Sequence, residues 1–392
     1  LQERVDTTRD EDKAVYAHLS SGRTRAAVRG IFWAALSGFG PAAVAAGVFV
    51  VSSRYLAPAE FGVVALSASI AMFSSAVAPA GFGHALIQRK DVEKRHLDSV
   101  FWLCMGAAAA IYCALFFAAP WLARWLNEDV LSLLVPVIGL RVLFDLSAVV
   151  PHSLLSRTMS FGKMATRSLA ASLLSAIVCI ALLVMGYGLW ALALSQLASS
   201  IAMCAGTFLS VAWRPGIRVS AGALRELARY GIFASGHRII TLINLDRLLI
   251  GALLGTVALG IYSFAWRIFQ IFNDLIAGAL TAVSYPLLAS LQSEHEKLKE
   301  AYVFATFASS ALSFPIFVGF GAIAGDLVPV VFGEQWIAAV PAIRAFCVIG
   351  ILSCIGILQS SLINSQGHAG WWFYYMVAKQ AVTALIILAF HR

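Results

Sequence analysis

Charge is what this sequence has least of. Asp, Glu, Lys and Arg make up 12% of its residues, about half of the ~25% usual in a soluble domain. A chain of 392 residues is long enough to bury a large core, but a water-soluble core needs a polar shell around it. That shell is missing, which excludes a water-soluble globule and leaves a surface that faces lipid. Disulfide chemistry is missing too. Cys104, Cys113, Cys179, Cys204, Cys347 and Cys354 all fall inside apolar stretches and form no CxxC spacing, so they read as small packing residues rather than disulfides or metal ligands. There is no HExxH, Walker loop or GxSxG elbow, and no loop between apolar stretches is long enough to fold as a catalytic domain. The expectation is a non-enzyme with no metal and no cofactor, and without ATP hydrolysis of its own. The arm at 1–29 is not expected to be a secretory leader: no apolar stretch precedes residue 30, and Asp10, Glu11 and Asp12 interrupt its basic residues.

What is abundant is apolar length. Hydrophobic residues make up 60% of the chain, and the mean hydropathy is +0.84. A membrane-spanning helix needs about 20 mostly apolar residues. Eleven such stretches run at about 30–53, 62–83, 99–119, 130–150, 168–186, 189–212, 230–254, 258–285, 302–324, 337–361 and 371–390. None shows the two-residue alternation of an outer-membrane barrel strand. The expected fold class is an all-α polytopic membrane protein with eleven transmembrane helices.

The basic residues set an expected orientation. With the arm at 1–29 placed in the cytoplasm, the inside segments hold nineteen Lys and Arg, and the outside loops hold only Arg54 and Arg124. Cytoplasmic loops retain Lys and Arg. The expectation is a multi-pass protein of the cytoplasmic (inner) membrane with its N-terminus inside and membrane lipids as partners of its basic loops. The net charge of +8 is scattered over short loops, so nucleic acid is not an expected partner.

The chain reads as two copies of one plan. RYLAPAEFGVVALSASI at 54–70 aligns with ALLGTVALGIYSFAWRI at 252–268 through Gly62 and Gly260. VPVIGLRVLF at 135–144 aligns with VPAIRAFCVI at 340–349, Pro136 on Pro341, and SLLSRTMSFG at 153–162 with SLINSQGHAG at 361–370. Three matches in one order, at offsets of 198, 205 and 208, indicate an internal repeat. Six spans return the chain to its starting side, so the copies are parallel repeats. The expected domains are a cytoplasmic arm at 1–29, an N-lobe of helices 1–6 at 30–212, a cytoplasmic amphipathic linker at 213–229, and a C-lobe of helices 7–11 at 230–392 that stops before a twelfth helix. In the linker, Ser220 is the expected cap of a surface helix with Leu224, Leu227 and Ala228 on one side.

Function is sought where charge stays in the membrane despite a cost of about 2.5–3.5 kcal/mol at the bilayer centre. Arg141, Arg238, Arg247, Arg267, Arg344 and Lys379 lie within or near spans, against Asp145, Asp246 and Asp274. Arg141 and Asp145 are four apart and read as an intrahelical ion pair. Span seven is the most polar. His237, Thr241 and Asn244 fall within about 40° of one another on a helix, next to Arg238 and Asp246. Such a helix suits a water-filled cavity between lobes. Arg267 has no acidic residue three or four positions away and is the leading candidate to meet an anionic ligand. The cavity candidates are Arg267, Arg238, Arg247, His237, Asn244, Arg141 and Arg344. Asp246, His237 and Asp274 are the candidates for ion coupling. Pro41, Pro79, Pro136, Pro286, Pro315 and Pro341 lie in or beside spans, where each favours a kink.

The stretches RYLAPAEFG at 54–62, LRELARYG at 224–231, DRLLIGALLGTVALGIYSFAWRI at 246–268 and YPLLASLQ at 285–292 resemble the oligosaccharide and polysaccharide lipid flippases of the multidrug/oligosaccharidyl-lipid/polysaccharide exporter superfamily. The resemblance covers the chain from about residue 25 onward. It implies two six-helix lobes in a V with a cationic central cavity. It also implies movement of undecaprenyl-diphosphate-linked oligosaccharide repeats to the outer leaflet by alternating access, for O-antigen or exopolysaccharide synthesis alongside polysaccharide polymerase machinery. A drug exporter of the same superfamily would carry acidic residues in the first span of a lobe, and span one has none. A membrane polymerase or ligase of the same sugars would need a large outer loop, and the outer loops are short.

Overall fold

Lipid offers a backbone no hydrogen-bond partners, so an apolar chain of this kind satisfies its amides internally as helices. The computed structural model describes residues 39–89, 91–158, 160–217, 219–242, 245–290, 295–356, 359, 363 and 369–390. The helices are α1 (39–55), α2 (Pro58–Ala76), α3 (Gly81–Gln88), α4 (Lys94–Trp125), α5 (Leu131–Gly139), α6 (Arg141–Ser147), α7 (Val149–Arg157), α8 (Phe161–Val184) and α9 (Leu189–Leu209). The chain continues with α10 (Ala221–Leu242), α11 (Leu245–Ser290), α12 (His295–Phe332), a 3₁₀ turn at Glu334–Ala339, α13 (Val340–Gly356) and α14 (Ala369–Phe390). Among the described residues, seven helices are long and apolar enough to cross a bilayer, eight when the bent set α5–α7 counts as one span. The expected number of eleven is therefore not established, while the all-helical, multi-pass membrane architecture is. The N-terminal arm at 1–29 lies outside the described residues.

The helices break where backbone chemistry requires it. Pro79 lies in the irregular turn between α2 and α3, splitting the expected second span. The fourth span bends by 41° between α6 and α7. Gly255, at φ 83° and ψ 176°, interrupts α11. An L side chain is disfavoured there, and this break separates the expected spans seven and eight.

Large apolar side chains fill the space between helices. Phe49 of α1, Phe264 of α11, and Phe317 and Phe332 of α12 gather around Trp336, whose ring stacks on Phe264 with centroids 3.8 Å apart. Leu66, Leu131, Leu134 and Ile138 join α2 and α5 to Leu259 of α11. A third cluster gathers α3, α4, α6 and α7, and Leu227 of α10 enters it.

One close contact between α2 and α11 is made by backbone alone. A Cβ built on Gly62 would stand 1.8 Å from the Thr256 carbonyl oxygen, and one built on Gly260 would stand 1.9 Å from that of Pro58. The contact is reciprocal: each glycine meets the carbonyl four residues before the other. These are the glycines on which the repeat aligns. Other ties reinforce this end of the bundle. The Arg54 guanidinium donates to the carbonyls of Val331, at 2.8 Å, and Val330, capping the C-terminus of α12. Gln335 and Trp336 both donate to the Ser53 carbonyl, and Thr256 Oγ1 donates to Glu128 at 2.6 Å.

A second set of ties closes the opposite end, where α3 and α4 meet α10. Gly81 lies against the backbone of Ala234 and Ser235, and Gly231 against the Phe82 ring. Ser220 accepts a hydrogen bond from the Ala223 amide at 3.3 Å, the expected cap. Ala223 and Leu227 are buried against protein, so the apolar face of this helix is spent on α3 and α4 rather than on lipid. His96 is fully buried. Its Nδ1 accepts from the Glu93 amide, which leaves Nε2–H to donate to Glu226 at 3.2 Å. Arg89 pairs with the same carboxylate. Hydrogen bonds from His96 and then Arg89 hold the Glu226 carboxyl below its usual range.

Candidate functional site

Between these two sets of ties lies a cavity of about 450 Å³ walled by α1, α2, α8, α9 and α11. One wall comes from α11, where Ser263, Trp266, Arg267 and Gln270 recur at intervals of three, one and three, a single helix face. Arg247 joins them from before the Gly255 break. The facing wall comes from α8 and α9, with Ser172, Ser175, Ser195, Gln196 and Ser199 lining the space. The α9 set repeats the same helical spacing.

The two walls differ in chemistry. The α11 wall is cationic: among the described residues, no salt bridge engages Arg247 or Arg267. Arg247 Nε and Ser263 Oγ are buried without a hydrogen-bond partner, which leaves two unsatisfied donors in one cavity. Asp246, beside Arg247 in sequence, is engaged instead by the Tyr262 hydroxyl at 2.6 Å. Tyr262 in turn stacks on Trp266, with the ring planes 12° apart. The α8 and α9 wall is neutral and rich in hydroxyls. Ser175 Oγ donates to the Ser195 carbonyl at 2.8 Å, and Ser195 Oγ to that of Leu192 at 3.0 Å. Such engaged hydroxyls retain acceptor lone pairs. A cationic face opposite a hydroxyl and amide face suits a ligand with an anionic group joined to a polar, uncharged body.

The sequence candidates divide accordingly. Arg267 and Arg247 line the cavity. Arg141 stands behind its wall: NH1 donates to Gln196 Oε1 at 2.7 Å and Nε to Ser200 Oγ at 3.2 Å, while the expected ion pair with Asp145 forms at 3.8 Å. Arg141 thus engages the Gln196 amide oxygen without itself lining the cavity. Arg238, half-buried on α10, is not a lining residue. Nor is Arg344, whose Nε donates to the Gly321 carbonyl of α12 at 3.2 Å. Asp274 is exposed, one turn beyond Gln270. Asn244 and the side chains of His237 and Thr241 lie outside the described residues, and the expected polar stripe lies there with them. No group of His, Cys, Asp and Glu among the described residues could hold a metal ion. The serines and Gln196 were missed in the sequence because uncharged polar residues are common in spans. The signal that finds them is their recurrence at three and four residues on α9.

Residues 51–341 match the family model described as "Polysaccharide biosynthesis protein". Among curated relatives, the teichuronic acid biosynthesis protein TuaB of Bacillus subtilis is 27% identical over 309 residues, which is 78% of this chain and 64% of that protein. The succinoglycan biosynthesis transport protein ExoT of Rhizobium meliloti is 27% identical over 317 residues, covering 80% of this chain and 64% of that one. The chain therefore spans about two thirds of the length of these relatives. Among solved structures, the lipid II flippase MurJ in an inward closed conformation superposes with a TM-score of 0.72 at 14% identity, over 91% of this chain and 79% of that one. At that identity the likeness is one of fold, that of a multi-helix membrane protein. With three quarters of its length inside the family model, the chain belongs to the polysaccharide biosynthesis protein family.

Proposed function

We propose that the chain is a transporter, not an enzyme, that flips undecaprenyl-diphosphate-linked oligosaccharide repeat units across the cytoplasmic membrane by alternating access, for surface polysaccharide synthesis. The observation that carries this reading is the pair Arg247 and Arg267, held in no salt bridge among the described residues, facing a wall of hydroxyls and an amide. The diphosphate supplies the missing counter-charge, which forked guanidinium groups hold well. The sugar hydroxyls meet Ser172, Ser175, Gln196 and Ser199, and Trp266 offers an apolar ring face. The family supports polysaccharide synthesis as the setting, and the transporter fold supports movement as the task.

In this reading the halves are 30–212 and 230–392, joined by 213–229, with the arm at 1–29, Arg89 and Glu226 on the cytoplasmic side. Access alternates as the ties at one end part while those at the other hold. With the cell interior negative, each negative charge carried outward gains about 2.3 kcal/mol per 100 mV. Asp246, Asp274 and His237 are the groups assigned to any coupled ion, and polysaccharide polymerase machinery takes the product.

The test is deletion of the full gene, followed by analysis of lipid-linked sugars and surface glycan. Loss of glycan with build-up of undecaprenyl-linked repeats on the inner leaflet is expected, and Arg247→Gln or Arg267→Gln should fail to complement while reaching the membrane at normal levels. Unchanged glycan and lipid pools would sink the proposal and leave small-molecule export in its place.

A further inference from the structure

A separate cavity of about 410 Å³ opens among α6, α7, α8 and α9, and its chemistry is not used by the central one. Arg167 of α8 lines it and is 9% exposed. NH1 donates to Thr207 Oγ1 at 2.7 Å, and NH2 donates to His152 Nδ1. The remaining Nε–H is buried with no partner. No described carboxylate forms a salt bridge with Arg167. Asp145 also lines the cavity, but its charge is matched by Arg141 at 3.8 Å.

Both partners of Arg167 are committed as acceptors. The Thr207 hydroxyl sends its own proton to the Met203 carbonyl. His152 accepts at Nδ1, so its free nitrogen, Nε2, carries the hydrogen. Arg167 therefore brings one buried cation with an orphaned N–H to the cavity, and His152, an exposed residue that also lines it, adds a ring N–H. A buried charge without a counter-charge is costly, as is a buried donor without an acceptor. One oxyanion relieves both. Phe144, Met164 and Met203 make the rest of the wall apolar, which favours an anion carried on an apolar body.

We propose that this cavity is a second anion-binding site, which takes a phosphate or phosphodiester oxyanion onto Arg167 and His152. It is separated from the central cavity by Arg141, whose guanidinium bonds Ser200 on one side and Gln196 on the other.

The test uses the full chain, purified in neutral detergent, with Arg247→Gln and Arg267→Gln in place so that the central cavity does not contribute. Thermal midpoints are followed against inorganic phosphate, and retained lipid is measured by native mass spectrometry after exposure to phosphatidylglycerol or phosphatidylcholine vesicles. Stabilisation by both phosphate and phosphatidylglycerol identifies a general oxyanion site; a response to phosphatidylglycerol alone identifies a lipid headgroup site. In either case Arg167→Gln should weaken binding at least tenfold, and His152→Gln should weaken it less. If Arg167→Gln does not fold, His152→Gln decides: wild-type affinity in that variant overturns the proposal. So does the absence of any response to either probe, or a response that survives Arg167→Gln.

Discussion

Replacing Gly260 by alanine places a methyl carbon 1.9 Å from the Pro58 carbonyl oxygen and 2.8 Å from its carbonyl carbon. Both are backbone atoms in the first turn of α2, where Glu60 also binds the Ala57 amide at 2.9 Å, so no rotamer change can clear the way. The two helices must part by about 1 Å or more to restore even a tight contact. Overpacking of this kind costs about 1–3 kcal/mol, against a gain of about 0.5–1 kcal/mol for alanine over glycine within a helix. Gly106 of α4 has nothing within 4 Å of its Cβ position, so Gly106→Ala takes the gain without the clash. The difference between the two variants isolates the contact. At a factor of ten per 1.4 kcal/mol, the population closed at this end should shift by about 5- to 150-fold. The assay is the rate at which an impermeant maleimide reaches Ser263→Cys, from the side that the Arg54 end faces, in a background without native cysteines. Gly260→Ala and Gly62→Ala should label faster by about that factor, and Gly106→Ala should match its parent. If all three variants label alike, the glycine contact does not hold this end closed, and the reasoning fails.

Two further predictions concern the ends of the bundle. The Glu226 carboxyl is held below its ordinary 4.5 by His96 and Arg89, so its stabilising charge is fully present above that value and is lost as pH falls through the lower folded one. Wild type and Glu226→Gln should differ in thermal midpoint at pH 7 and converge once the pH falls below the depressed folded value; a gap that persists unchanged in acid would show that the carboxylate is not the source. Arg54→Ala removes the donors that cap Val330 and Val331 and should lower stability by about 1 kcal/mol. Arg54→Lys should recover only part of this, because an ammonium cannot fork across two carbonyls; full recovery would contradict the capping geometry.

How much of this was legible in the sequence depended on the range of each interaction. Apolar length gave the helices, because burial in lipid is a property of a single stretch. Gly62 and Gly260 were found by self-alignment, and Ser220 and the Arg141–Asp145 pair by local spacing. Arg247 and Arg267 stood out because charge is rare in a span. The His96–Glu226 link joins residues 130 apart, and no local pattern announces it. Arg167 immediately precedes the apolar stretch at 168–186 and reads in the sequence as one more basic loop residue, since only the packing of α8 against α9 and α7 shows it to be buried and without a salt bridge. Arg344 looked like Arg267 in sequence but spends its guanidinium on the neighbouring helix.

The reciprocal glycine contact has the form of a two-fold homodimer interface, in which one surface patch serves both partners. A protein half this length, bearing the first glycine and the carbonyl four residues before it, would carry on one face everything needed to pair with a second copy of itself. Joining two such copies end to end makes pairing independent of concentration and frees each half to diverge. One wall could then gather arginines for charge while the other gathered serines for hydroxyls, a division of labour that two identical subunits cannot achieve.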